Sequence, residues 1–182
     1  WIVPHINPDG QERNKGWQDI GSNVGLMDAY DPVLYFSHVV RELPGQDLEF
    51  GFPRSKDDFR VRPESRAVEQ WWRKADGPFH IHATLHGIAL AGGPWFLLEP
   101  EWLDRVEHVK SCCTEETRNL GYILHDVDRK GDKGFCRVGP GFCTRPSSTE
   151  MRKYFLTIGD RETAARFRPS SMESIRSLGG DP

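Results

Sequence analysis

An alternating run near the middle of the chain constrains the fold more than any other stretch: Phe79-His80-Ile81-His82-Ala83-Thr84-Leu85-His86-Gly87. Phe79, Ile81, Ala83 and Leu85 alternate with His80, His82, Thr84 and His86, the period-two pattern of a half-buried β-strand. The pattern predicts three imidazoles on one face, with His86 at the C-terminal end of the strand, where α/β sheets usually hold ligands and metals. A neutral imidazole is the commonest protein metal ligand, and Gly87 lets backbone or substrate approach closely. A strand with a merely hydrated polar face is the better account of a single histidine, whereas three on one face before a glycine fit a ligand site about as well. Strand geometry separates the three: His82 lies about 13 Å from His86 at ~3.3 Å per residue, too far to share one ion.

The segments around this run set the fold class. Residues 1–6 read as a short apolar strand, and Asn7-Pro8-Asp9-Gly10 reads as a turn in which Pro8 presets φ and Asp9 caps. Residues 11–25 read as loop, 26–43 as a helical pattern that Pro32 starts or breaks, and 44–62 as extended loop. Pro63-Glu64 opens a helix with Ala67, Val68, Trp71 and Trp72 along one stripe. Residues 95–98 predict a strand buried on both faces, 101–120 a long helix, and 122–125 another short strand. Residues 127–149 lack periodicity and read as a long loop. Short helices are expected near 160–167 and 171–178, the second capped by Ser170 or Ser171. Strands alternating with helices predict an α/β layered fold.

Bulk properties exclude several classes. The 182 residues are enough for one domain with a real core, and 1–182 reads as a single partial domain. A net charge of -3 argues against a nucleic-acid partner, and no apolar run is long enough for a membrane segment. The four cysteines include no Cys-x-x-Cys pair, so free and mostly buried thiols are expected; a Cys136–Cys143 loop closure is the alternative. Trp1-Ile2-Val3-Pro4 reads as a strand already under way, and Gly179-Gly180-Asp181-Pro182 as a turn leading onward, the pattern of an internal fragment.

Three segments occur in a telling order. Pro4-His5-Ile6-Asn7-Pro8-Asp9-Gly10 comes first. Asp47-Leu48-Glu49-Phe50-Gly51-Phe52-Pro53 follows, with Pro63-Glu64-Ser65-Arg66-Ala67-Val68 shortly after, and then the run ending Leu85-His86-Gly87. In this order the chain resembles the zinc carboxypeptidase family, the carboxypeptidase A-like metallopeptidases, over roughly residues 2–98. The resemblance implies an α/β fold with a mixed twisted β-sheet flanked by helices, phosphorylase/hydrolase-like and here incomplete at both ends. It also implies a zinc-dependent hydrolase that cleaves a peptide or amide substrate with a Zn2+-activated water.

The roles follow position by position from that resemblance. His86 matches the third zinc ligand. Arg13 matches the arginine that polarises the scissile carbonyl, a role worth about 3 kcal/mol for a well-placed donor. Asn14, Glu49 and Tyr154 fall at substrate-binding positions, although Tyr154 beside Phe155 also reads as a core aromatic. The chain departs from the family at Glu49-Phe50, where an Asn-Arg pair grips the substrate carboxylate. Glutamate and phenylalanine cannot make that bidentate bond, so either Arg54, Arg60 or Arg62 compensates, or the substrate has no free carboxylate. A Glu49 facing the site favours a cationic or neutral group.

No His-x-x-Glu motif occurs in the 182 residues, so the first two ligands, like the general-base glutamate, are expected outside them. Glu173 reads as a first-turn helix residue. A rival reading keeps the fold as a non-catalytic binding domain. A third makes Cys136 or Cys143 a nucleophile partnered by His125.

Overall fold

The computed structural model describes residues 2–18, 32–87, 91–129 and 133–177. It divides into two compact units, Trp1–Thr84 with Arg166–Pro182, and Leu85–Ala165. A three-stranded mixed sheet with several helices makes the chain α/β in the broad sense.

The first unit holds α1 (Pro8–Gln18), α2 (Pro32–His38), α3 (Pro63–Trp72) and α7 (Ser171–Ser177). Helix α1 corrects the expected turn and loop at 7–18. Asn7 Oδ1 accepts the Gly10 N–H at 2.9 Å, Pro8 needs no N–H partner in the first turn, and Asp9 suits the helix dipole. Four residues that spell a turn are therefore also a helix start. Pro32 starts α2, while 26–31 of the expected helical region, and 19–25 of the expected loop, lie outside the described residues. The strand expected at 1–6 does not form among residues 2–6, and Ile2 is exposed.

Helix α3 forms where its sequence predicts, with Pro63 in the first turn and Val68 and Trp72 buried, but Ala67 of the expected stripe is exposed. Phe52 stacks on Trp72 with ring centroids 5.1 Å apart, and Val68 and Ile175 of α7 complete this core. Residues 44–62 form a loop as expected, but one built of turns and bends rather than extended chain, and Leu48, Phe50 and Phe52 are all buried. Its backbone is laced to the approach to α7 by Phe52 N–H to the Pro169 carbonyl, Arg168 N–H to the Phe50 carbonyl and Ser171 N–H to the Glu49 carbonyl, each 3.2 Å.

The alternating histidine run does not become a strand. Residues 81–87 form no ladder, and Ile81 and Leu85 are 82% and 98% exposed. Alternation makes a strand only when a neighbour supplies the other half of the hydrogen bonds. Among the described residues, no strand pairs with this run.

In the second unit lie β1 (Phe96–Leu98), α4 (Glu107–Asn119), β2 (Arg137–Gly139), β3 (Phe142–Thr144) and α5 (Ser148–Thr157). Helix α6 (Arg161–Arg166) spans the sequence boundary between the units. β3 is the central strand, parallel to β1 and antiparallel to β2, with a register shift between Arg137 and Gly139. It is buried throughout, so the apparent loop at 127–149 contains the best-covered strand of the sheet. β1 is more open than expected, with Leu97 40% exposed. Residues 122–125 do not form the expected strand, and Tyr122 and Ile123 are exposed. Ser147 caps α5 by accepting the Glu150 N–H at 3.1 Å. All four thiols are free, and only Cys143 is buried, so most are more exposed than expected.

Candidate functional site

Arg13 stands exposed on α1. One turn of helix does not leave its neighbour equally available. The Asn14 Nδ2 donates to the Gly10 carbonyl at 2.8 Å and the Val40 carbonyl at 3.4 Å. Its Oδ1 accepts from Trp17 Nε1 at 2.7 Å and from the Val40 N–H at 3.0 Å. Asn14 therefore fastens α1 to the chain that leaves α2.

Arg62 joins two of the motif segments. Its Nη2 donates to Asn7 Oδ1 at 3.2 Å and pairs with Glu64 at 3.2 Å, while Nη1 pairs with Glu42. Burial works against the Arg62 charge, but Glu64 and Glu42 together raise its pKa above the ordinary arginine value. Hydrogen bonding to Arg62 pulls the Glu64 carboxyl down in turn. The cluster is a closed ion-pair network at the base of α3, so Arg62 does not stand ready for a substrate carboxylate. Arg54 is likewise engaged, donating to the Phe167 carbonyl at 2.7 Å. Arg60 is exposed.

Glu49 turns inward. Its Oε1 accepts the Ser171 hydroxyl at 2.9 Å, and that hydroxyl lies 3.0 Å from His82 Nε2. The His82 ring meets Trp72 edge-on at 5.7 Å. Phe50 beside it is buried, and its N–H donates to Asp47 Oδ1 at 2.6 Å. Ser170 and Glu173 form a reciprocal capping box at α7: Ser170 N–H to Glu173 Oε2 at 2.7 Å, and Glu173 N–H to Ser170 Oγ at 3.2 Å.

His86 is exposed on the extended run after Thr84, within the second unit. Tyr154 is 42% exposed on α5 and meets Phe155 edge-on at 5.3 Å, so it is not a core aromatic. Arg13, Asn14 and Glu49 belong to the first unit, His86 and Tyr154 to the second. Among the described residues, no three His, Cys, Asp or Glu side chains gather where one metal ion would sit.

The cysteine-nucleophile reading has no support in the geometry. The His125 Nδ1 accepts from the Gly92 N–H at 3.3 Å, the Cys143 thiol donates to the Val127 carbonyl at 3.8 Å, and Cys136 donates to the Gly134 carbonyl at 3.9 Å. Burial pushes the Cys143 thiol up, away from the reactive thiolate.

Two features of the second unit escaped the sequence reading. A cavity of about 600 Å³ lies between α4 and the β2–β3 turn, lined by Lys110, Thr114, Arg118, Leu124, Pro140 and Phe142 among others. Asp126 accepts a bidentate bond from Arg137, Nε to Oδ1 at 2.8 Å and Nη2 to Oδ2 at 2.7 Å, together with the Gly141 N–H at 3.1 Å. These bonds hold its carboxyl at about 2. Pro140-Gly141, flanked by short runs containing Val138 and Phe142, is the turn signal that would have revealed this hairpin.

Among the described residues, no helix is long and apolar enough to cross a membrane. Compared with family models, curated proteins and solved structures, the chain matches none of them.

Proposed function

We propose that the chain is part of a zinc-dependent, metallocarboxypeptidase-like hydrolase that cleaves a peptide or amide bond, with the α/β fold of that family. The observation that carries this reading is the order of the three motif segments ending at His86-Gly87. The bond from Arg62 to Asn7, at 3.2 Å, adds that the first of those segments meets the start of α3 in space. His86 is this chain's contribution to the metal centre. A catalytic zinc takes three protein ligands and an open position; the described residues do not assemble such a set and do not by themselves build the centre. Arg13, exposed on α1, is the donor available to a substrate carbonyl.

A binding domain that keeps the fold without the chemistry is the second reading. It is favoured by Asn14 and Glu49, whose polar atoms bond within the fold, and by the buried Phe50. The test is metal analysis and hydrolysis of N-blocked peptides by the protein encoded by the whole gene, with and without His86→Ala. The hydrolase reading expects zinc and activity in the parent, and loss of both in a variant that keeps its circular dichroism. Unchanged zinc content in His86→Ala overturns the assignment. Zinc retained by a parent that hydrolyses no peptide selects the binding domain.

A further inference from the structure

The exposed surface of α4 carries a pair of metal-ligating side chains that none of the roles above uses. His108 and Cys112 are four residues apart, which places them one above the other on one helix face. The Cys112 Sγ lies 3.6 Å from His108 Nε2 and 4.0 Å from Nδ1, and both residues are exposed.

The separation is informative. A tetrahedral zinc ion, with Zn–S of ~2.3 Å and Zn–N of ~2.0 Å, sets its sulfur and nitrogen ligands about 3.5 Å apart. The pair already stands at the spacing a shared ion requires. Ligands at i and i+4 of a helix are also the spacing by which two histidines of a helical zinc motif share their metal. We propose that His108 and Cys112 form a two-ligand surface site for a divalent cation that accepts thiolate and imidazole, Zn2+ or the softer Cd2+, with water in the remaining positions.

Several details of the helix favour this assignment. His108 in the first turn and Cys112 in the second belong to one 13-residue helix, so their backbones are already fixed relative to one another. The Sγ lies at similar distances from the two ring nitrogens, so binding requires the exposed imidazole to rotate about χ2 until one nitrogen faces the ion. Cys113 projects about 100° further round the helix and does not share this face. Glu115 and Glu116 follow Cys112 by about one turn and add negative charge on its C-terminal side. On binding, a metal–sulfur bond replaces the thiol S–H, whose proton goes to solvent, and a ring-nitrogen lone pair makes the second bond as hydration waters leave the ion. No electron is transferred. A thiolate–imidazole pair selects zinc and softer ions over calcium or magnesium.

The experiment titrates the reduced, metal-free 182-residue chain with Cd2+ alone while following the thiolate-to-cadmium absorption in the ultraviolet. The expected result is one saturating site. Its absorption disappears in Cys112→Ser and its affinity falls in His108→Ala, while Cys136→Ser binds as the parent does. Circular dichroism of each variant verifies folding, which these exposed positions leave intact. No absorption in the parent, or absorption that survives Cys112→Ser, overturns the site. Parent-like affinity in His108→Ala removes the imidazole and overturns it as well. Loss of the site in Cys136→Ser assigns the ion elsewhere and also overturns the proposal.

Discussion

Ser171 and Glu49 are bonded twice, through the Ser171 N–H to the Glu49 carbonyl at 3.2 Å and through the Ser171 hydroxyl to Glu49 Oε1 at 2.9 Å. The hydroxyl proton is directed to the carboxylate, so the oxygen presents lone pairs to His82 and the imidazole donates from Nε2. In a serine nucleophile the imidazole removes the hydroxyl proton instead. The His82–Ser171–Glu49 string, with its serine buried, is a tie within the fold.

Ser171→Ala should therefore destabilise the protein, because it strands a carboxylate oxygen and an imidazole N–H that are partly buried. A loss of about 1–3 kcal/mol is expected, read from the urea midpoint. Glu49→Gln keeps an acceptor oxygen and should cost less. A Glu49→Gln variant with native stability and an altered KM would instead make Glu49 a substrate residue.

Asn14 offers a graded test. Asn14→Ala removes the bonds to Gly10, Trp17 and Val40, whereas Asn14→Asp keeps an acceptor for Trp17 Nε1 and the Val40 N–H. Thermal unfolding should rank the parent above the aspartate and the aspartate above the alanine. The steps should be about 1 kcal/mol each. An alanine variant as stable as the parent would show that α1 does not depend on this side chain.

Gly45 has φ of +78°, and a Cβ there would run into the Arg166 carbonyl. Backbone cannot yield as a flexible side chain can. Gly45→Ala should cost about 1–3 kcal/mol from conformational strain alone, with the clash in addition. Gly77→Ala, where a Cβ meets nothing within 4 Å, is the control and should stay near the parent. Equal midpoints for the two variants would refute the argument.

Asp126 titrates at about 2 in the fold against an ordinary 3.8, chiefly because Arg137 bonds its charged form. A folded value below the unfolded one means that the contribution is fully present above about pH 4. It is lost as the pH falls through 2. Arg137→Gln should move the Asp126 titration back toward 3.8, measured by carbon NMR of the side-chain carboxyl. An unmoved titration would assign the shift to the Gly141 N–H instead.

The helices whose start signals combine proline or serine with an acidic residue were legible where an apolar stripe followed. Pro63-Glu64 opens α3 and Ser170 caps α7, both as expected. The same chemistry went unread at Asn7-Pro8-Asp9 because glycine at position 10 also fits a turn, and only the capping bond decides between them. It went unread again at Ser147 and Glu150, inside a stretch whose glycines and arginines masked a hairpin and a helix start. The histidine run failed for a different reason. Alternation reports which faces differ, whereas a strand also needs a partner elsewhere in the sequence. For the candidate site, residue types were legible but their engagement was not: Asn14 and Glu49 look available as letters, and their polar atoms are bonded within the fold.

The core around Phe52 and Trp72 is completed by Ile175, which follows it in the chain only after the whole of Leu85–Ala165. At ordinary ribosomal speeds that stretch takes on the order of 4–16 s to be made. During that interval the newborn first unit holds its aromatic pair without the isoleucine that covers it, and the backbone at 49–52 waits for its partners at 168–171. A synonymous change that slows translation of the stretch encoding residues 85–165 would lengthen the exposure without altering a single contact of the finished protein.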